Sequence, residues 1–532
     1  MGMNAQSTQS NRWLSLVFIC ISLMVISLDN TILNVALPSI SRELGATASE
    51  LQWIIDAYVL VFAALLLTMG AVGDRIGRKK ALQFGVLMFG LGSLAAAMAT
   101  STPVLIAARA FLGIGGATIM PATLSIVSAT FRDPKERSQA IAIWAAVFAF
   151  GVGLGPLIGG WLLERFEWNS VFFVNVPVVI IALIGGYIYI GESKDETAPS
   201  PDIPGVLLSI TGLFALVYGI IEAGLYGWGA SHVLLSFAIA AVLIGIFAWW
   251  ENRAPNAMLP LSFFKNMSFT GANTALALVT FALFGSTFFI SQYFQSVQGF
   301  NALHSGARVV PLAIMLTICA TFSARINQRL GTKITVGLGI ILAGLGLFYL
   351  SQVAQVDTPY TTFVIGQLIL GAGMGTAMSP ATNSIMGSVP VNKAGIGSAM
   401  NDTTRQLGGA LGVAVLGTFA NNVYLSRVNS LELMNTLPAE AADAIRNSIQ
   451  GAHIVADRLN IPIVSPLIVD TANKAFVLGM TEAMFIGSLI MFAAALLTFA
   501  ILPAQIRPAV ETSPEQAVPA QPVANPELSG LD

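Results

Sequence analysis

Three ionisable side chains stand in stretches too apolar to suit them. They are Asp29 in LMVISLDNTILNVALP (23–38), Asp56 in WIIDAYVLVFAALLL (53–67) and Arg109 in LIAARAFLGIGGA (105–117). A charge at bilayer depth costs roughly 2.5–3.5 kcal/mol on insertion scales, so each needs a partner or a task. A protonatable acid competing with a guanidinium for its charged form is the smallest set of parts for proton-coupled transport. The plainer alternative is a structural ion pair with one spare protonated acid. Asp402 and Arg405, three residues apart on one helical face, fit mutual neutralisation as well as transport. Glu222 and Glu482 fall nearer the ends of their stretches, where a long side chain can snorkel, and read as structural.

The elements that must position these groups follow from composition. Hydrophobic residues make up 55% of the chain and charged residues 10%, with a mean hydropathy of +0.76. A soluble domain carries about 25% charged residues, so most of this chain faces lipid or other spans. Stretches of about 20 apolar residues occur at 13–38, 51–72, 80–99, 103–128, 138–162, 171–191, 203–223, 231–250, 268–292, 304–323, 333–350, 361–386, 393–420 and 475–502. The reading is therefore an all-α integral membrane protein with fourteen spans. The first stretch is too long for a signal-peptide core and contains Asp29, so no cleaved leader is expected. A net charge of −2 argues against nucleic acid. Cys20, Cys319, His232, His304 and His453 are too scattered for a metal site, and no His, Cys and acid cluster suggests an enzyme.

Basic residues gather on one side. With the N-terminus inside, Arg12, Arg75, Arg78, Lys79, Lys80, Arg132, Lys135, Arg137, Lys194, Arg253, Lys265, Arg325, Arg329, Lys333, Lys393 and Arg507 fall on the cytoplasmic side, Arg427, Arg446, Arg458 and Lys474 in one long outer loop, and the short outer connections hold only Arg42 and Arg165. This bias places both termini inside. At 1.5 Å per residue, Asp29 lies about 13 Å, Asp56 about 8 Å and Arg109 about 9 Å below the outer end of its span. All three are thus expected to share one wet, protein-lined vestibule in the outer half.

An internal repeat divides the chain. GRKKALQFGVLMFGLG (77–92) matches GTKITVGLGIILAGLG (331–346), and LGIGGATIMPAT (112–123) matches LGAGMGTAMSPAT (370–382), which sets Arg109 opposite Gln367. Parallel repeats are a known transporter plan. The expected organisation is a cytoplasmic N-terminus (1–12), a six-helix bundle (13–191), two inserted helices with linkers (192–267), a second six-helix bundle (268–502) and a disordered tail (503–532). The second bundle carries the long outer loop 424–474, read as an ordinary loop rather than an amphipathic helix over 438–460. Trp53 and Trp168 sit at span ends, where aromatic belts form. GVGLGPLIGG (151–160) combines glycines that admit close helix approach with Pro156, which removes a backbone donor.

Several of these segments together resemble the major facilitator superfamily. GAVGDRIGRKK (70–80) is similar to its signature between spans 2 and 3, LIAARAFLGIGGA to its span 4 signature, and GVGLGPLIGG to its antiporter signature. LDNTILNVALP (28–38), WIIDAY (53–58), NVP (175–177) and GSAMNDTTRQLGGALG (397–412) resemble the fourteen-span drug:proton antiporters, the quaternary-ammonium exporters in particular. The resemblance implies a cytoplasmic gate at Gly70, Asp74, Arg75, Gly77 and Arg78, with a charge link between Asp74 and Arg78. It implies a hinge at Gly151, Gly155, Pro156 and Gly159, and proton or cation handling by Asp29, Asp56 and Arg109. After Trp168 the family usually has Arg where this chain has Asn169. The expected function is proton-coupled export of amphipathic, cationic drugs across a bacterial inner membrane. The alternative is export of an endogenous lipid, siderophore or antibiotic by the same machinery. Proton-motive force replaces any cofactor. The partners expected are a small-molecule substrate and the lipid bilayer, with a monomer as the working unit and an adaptor protein left open.

Overall fold

The structure is a computed structural model that describes residues 2–131, 133–194, 202–254, 261–389 and 394–503. Arg132, Lys393, Arg507 and the expected tail beyond residue 503 lie outside the described residues. The described chain is helical throughout and contains no strand. In order the helices are α1 (Gly2–Leu44), α2 (Ala48–Ile76), α3 (Arg78–Ala97), α4 (Thr102–Thr130), α5 (Pro134–Leu163), α6 (Ser170–Phe173) and α7 (Asn175–Tyr189). There follow α8 (Ile203–Tyr226), α9 (Ser231–Glu251), α10 (Met267–Gln292), α11 (Ala302–Val353), α12 (Tyr360–Gly387), α13 (Ala394–Asn429), α14 (Ala439–Asn447), α15 (Ile449–Leu459) and α16 (Val464–Ile501).

Among the described residues, twelve helices are long and apolar enough to cross a membrane, against the fourteen expected. The difference has two locations. α11 is continuous by hydrogen bonding over 52 residues, but Gly331 inside it has φ 78° and ψ 165°. Its length as one rod would be about 78 Å, well beyond the roughly 30 Å of a hydrocarbon core. α5 enters only through its apolar part Gly153–Leu163. Gly331 matches Gly77, which has φ 119° between α2 and α3, so the sequence repeat is also a repeat of turn geometry.

Packing repeats in the same register. Gly92 packs on Leu112 as Gly346 packs on Leu370, and Gly113 meets the Tyr58 carbonyl as Gly371 meets the Leu312 carbonyl. Gly151 and Gly155 of α5 press on Ser27 and Thr31 of α1, while Gly408 and Gly412 of α13 press on Ala277 and Phe281 of α10. The two sets also meet each other reciprocally: Gly160 of α5 packs on Leu303 of α11, and Gly417 of α13 on Gln52 of α2. Glycine at these crossings lets backbones touch, which in lipid is a main source of helix association.

The expected loop 424–474 is mostly helix. α13 runs to Asn429, a 3-10 turn covers Glu432–Asn435, α14 and α15 follow, and α16 begins at Val464. The reason is an apolar stripe: Ala442, Ile445, Ile449, Ala452, Val455 and Ala456 are all buried. Ser448 breaks the two helices apart with an extended backbone, and its side chain accepts from Gly451 N to cap α15. Trp168 likewise departs from a belt position. It is buried, edge-on to Phe172, whereas Trp53 packs on Phe214 and Tyr218 of α8.

Candidate functional site

The distal end is where α1 stops and α2 starts; the proximal end is where α2 turns into α3. A capping box fixes the start of α2: Thr47 Oγ1 accepts from Glu50 N at 3.2 Å, and Glu50 Oε2 accepts from Thr47 N at 2.9 Å. It satisfies orphan amides and sets the register that follows.

From that start Ile54 and Tyr58 turn toward α4. Arg109 of α4 donates Nε–H to the Ile54 carbonyl at 3.0 Å and pairs through Nη1 with Asp29 Oδ2 at 2.5 Å. Its guanidinium carbon lies 4.5 Å from the Tyr58 ring centroid and 6.0 Å from that of Phe172. Arg109 is 1% exposed and Asp29 is fully buried. The ion pair therefore ties α1, α2 and α4 together in a dry place, where removing one partner strands the other. Asp29 Oδ1 and the Tyr58 hydroxyl have no hydrogen-bond partner among the described residues. The glycines behind α1 explain the aim of Asp29. Ser27 and Thr31 face α5, and a residue midway between them is turned about 200° from each, toward α4.

Asp56 is not part of this cluster. The Tyr58 ring faces Arg109, so Asp56, two residues before it, points about 200° away on the other face of α2. That face carries Gln52, which packs on Gly417, and Ala63, whose carbonyl accepts from Thr403 Oγ1 at 3.4 Å. Both contacts belong to α13 of the second repeat. Asp56 thus sits on the seam between the two repeats, fully buried, with neither carboxyl oxygen hydrogen-bonded among the described residues. The expected single vestibule is corrected to two sites on opposite faces of one helix. Residue number gives height along a span but not azimuth.

The remaining candidates spread out. Gly155 and Gly159 rest on Thr31 and Ile32 of α1, and Pro156 is met by Gly306 of α11 from the other repeat. At the proximal turn Arg78 Nε pairs with Asp74 Oδ1 at 2.6 Å, Gly70 packs on Pro121 of α4, and Arg75 is exposed. Sequence reasoning missed Glu192, which follows α7 and accepts from Lys79 N at 3.0 Å beside Gly77, while Arg78 N donates to the Ser193 carbonyl at 2.8 Å. An acid just after an apolar span, with a basic turn elsewhere to receive it, was the available signal. Asp402 lies 4.0 Å from Arg405 and accepts from Asn401 Nδ2 at 3.4 Å. Glu222 faces His232 at 3.6 Å across α8 and α9, and Glu482 is exposed on α16. Gln367, at the repeat position of Arg109, is fully buried, and both its amide atoms lack partners among the described residues. Among the described residues no group could hold a metal ion.

The model of the Major Facilitator Superfamily matches residues 19–413. The multidrug efflux pump LfrA of Mycolicibacterium smegmatis is 34% identical over 488 residues, covering 92% of this chain and 96% of that protein. The methyl viologen resistance protein SmvA of Salmonella typhimurium is 31% identical over 500 residues, covering 93% and 99%. Among solved structures, a bacterial homologue of the human lysosomal transporter Spinster, inward-facing and unoccupied, aligns with a TM-score of 0.65 at 17% identity. It covers 92% of this chain and 97% of that one.

Proposed function

We propose that this chain, which belongs to the Major Facilitator Superfamily, exports amphipathic organic cations from bacterial cells in exchange for protons. On this reading it crosses the inner membrane fourteen times, because α5 and the two rods of α11 on either side of Gly331 join the remaining spans. Six spans form each bundle, 13–191 and 268–502, and α8 with α9 is inserted between them. The proximal end, with Arg12, Arg75, Arg78, Lys79, Lys80, Arg325, Arg329 and Lys333, is cytoplasmic under the positive-inside rule. One chain is the working unit, driven by the proton-motive force.

The observation that carries the reading is Asp56: a buried carboxyl without a hydrogen-bond partner among the described residues, at the seam between the two repeats. A cation entering that seam from the cytoplasm supplies the missing counter-charge, and the acid gives up its proton. Protonation from outside then neutralises Asp56 and releases the cation. Asp29 and Arg109 report the change from the far face of α2, since Arg109 also holds the Ile54 carbonyl one half-turn away. Each charge moved across 100 mV supplies about 2.3 kcal/mol. The names of the relatives lend support: one is a multidrug efflux pump, another confers resistance to methyl viologen, a flat organic dication.

The test is reconstitution in vesicles with an imposed pH gradient and a panel of lipophilic cations, neutral compounds and anions. Asp56→Asn is expected to abolish gradient-driven cation efflux while the protein still inserts. A variant that moves cationic dyes at the wild-type rate would remove Asp56 from the mechanism. Faster export of neutral or anionic compounds than of cations would point to an endogenous substrate instead.

A further inference from the structure

The segment between α13 and α16 carries polar groups for which export by the seam alone gives no use. α14 and α15 cover the distal end, and the junction between them reaches the first repeat: Ser448 Oγ lies 3.3 Å from Ser41 Oγ near the end of α1. Gln450, two residues on and buried, donates Nε2–H to Ser296 Oγ at 2.9 Å and lies 3.5 Å from Gln292 Oε1. Ser296 belongs to a π-helical turn, Tyr293–Val297, that continues α10. That turn crosses to the first repeat as well, with Gln295 Nε2 donating to the Val35 carbonyl of α1 at 2.8 Å. π turns are uncommon and tend to mark functional positions. Gln450 Oε1 has no hydrogen-bond partner among the described residues, and Gln450 lines a cavity of about 40 Å³ with Gln52, Gln292, Asn421 and Tyr424. That is room for a water or two beneath the cover.

The attachments of this cover are unequal. To the second repeat it is bound through the packing of α15 on α16, through Tyr424 Oη donating to the Ile445 carbonyl at 2.8 Å, and through a 2.8 Å contact of His453 Nε2 with Asn473 Oδ1. To α1, among the described residues, the hydrogen bonding runs through one pair of hydroxyls, Ser41 and Ser448. Opening the distal end means parting α1 from the π turn. The bonds Gln295–Val35 and Ser41–Ser448 then break together, whereas Gln450–Ser296 travels intact with the second repeat. Hydroxyl and amide contacts suit such a joint, because water replaces them when they part.

We propose that α14 and α15 form a lid over the exit, carried by the second repeat, latched to α1 by Ser41 and Ser448, and lifted once in each transport cycle. The proposal rests on the export reading above, and its test separates the two. Ser41→Cys and Ser448→Cys are introduced together in a chain whose Cys20 and Cys319 are replaced by Ala, and efflux is measured before oxidation, after oxidation and after reduction. A crosslink is expected to form readily, to stop cation efflux, and to release it again on reduction. Undiminished efflux from the crosslinked protein, or no crosslink at all, overturns the lid. Absence of efflux from the wild-type chain strikes at the export reading alone. If the double variant is inactive even when reduced, Ser448→Cys by itself is read out with a membrane-impermeant maleimide. Faster labelling under a pH gradient with a lipophilic cation present supports the lid, and an unchanged rate overturns it.

Discussion

At the scale of single residues, the arrangement separates two carboxyl groups that differ in their company. Asp29 has a fixed partner in Arg109; Asp56 has none among the described residues and waits at the seam. Arg109 makes two bonds with different nitrogens, to a carboxylate and to a main-chain carbonyl. Lysine carries the charge but lacks the planar fork needed to reach both. Arg109→Lys is therefore expected to keep the protein folded yet lose one charge-assisted bond, about 1.5–3 kcal/mol, which is roughly tenfold to a hundredfold in transport rate. Arg109→Ala strands Asp29 and should cost about 3–5 kcal/mol of stability, read as a fall in melting temperature in detergent. Efflux by Arg109→Lys at the wild-type rate would show that the link to Ile54 is idle. Counting residues from the span ends assigns Asp29, Asp56 and Arg109 similar heights but says nothing of their facing. α2 is buried on two opposite faces, so its apolar pattern carries no mark of which face meets α4 and which meets α13.

At the scale of elements, the glycines of α5 and α13 decide how closely helices cross. Gly155 abuts Thr31 and Ile32 of α1, Gly412 abuts Phe281 of α10, and Gly153 has open space around it. Gly155→Val and Gly412→Val are each expected to cost about 1–3 kcal/mol through overpacking and to lower efflux in parallel. Gly153→Ala should leave both efflux and melting temperature unchanged. Unequal behaviour of the first two would mean that the repeats do not share one working contact. Elements that depend on glycine spacing were readable in advance, since the repeats announce themselves through Gly77 and Gly331 and through Gly113 and Gly371. The lid was not. Its stripe is short, made largely of alanine, and interrupted at Ser448, so over 438–460 it reads as a polar connection until the helices beneath it supply the apolar partner.

At the scale of the whole molecule, the two repeats touch reciprocally, α5 on α11 and α13 on α2, and the lid spans their distal border. The internal repeat was legible in the sequence because parallel duplication leaves matched motifs at matched distances. What did not follow was the closing of the first repeat upon itself. Glu192, at the far end of α7, grips the amide at the start of α3, and Ser193 holds its neighbour. The amino-terminal bundle thus completes its own circuit before the inserted helices begin. A gene divided between Lys194 and Asp202, expressed as two fragments, should accordingly yield partners that find each other in the membrane and regain drug tolerance in a sensitive host. The same division in a Glu192→Ala background should recover less, and equal recovery would show that the clasp is ornamental.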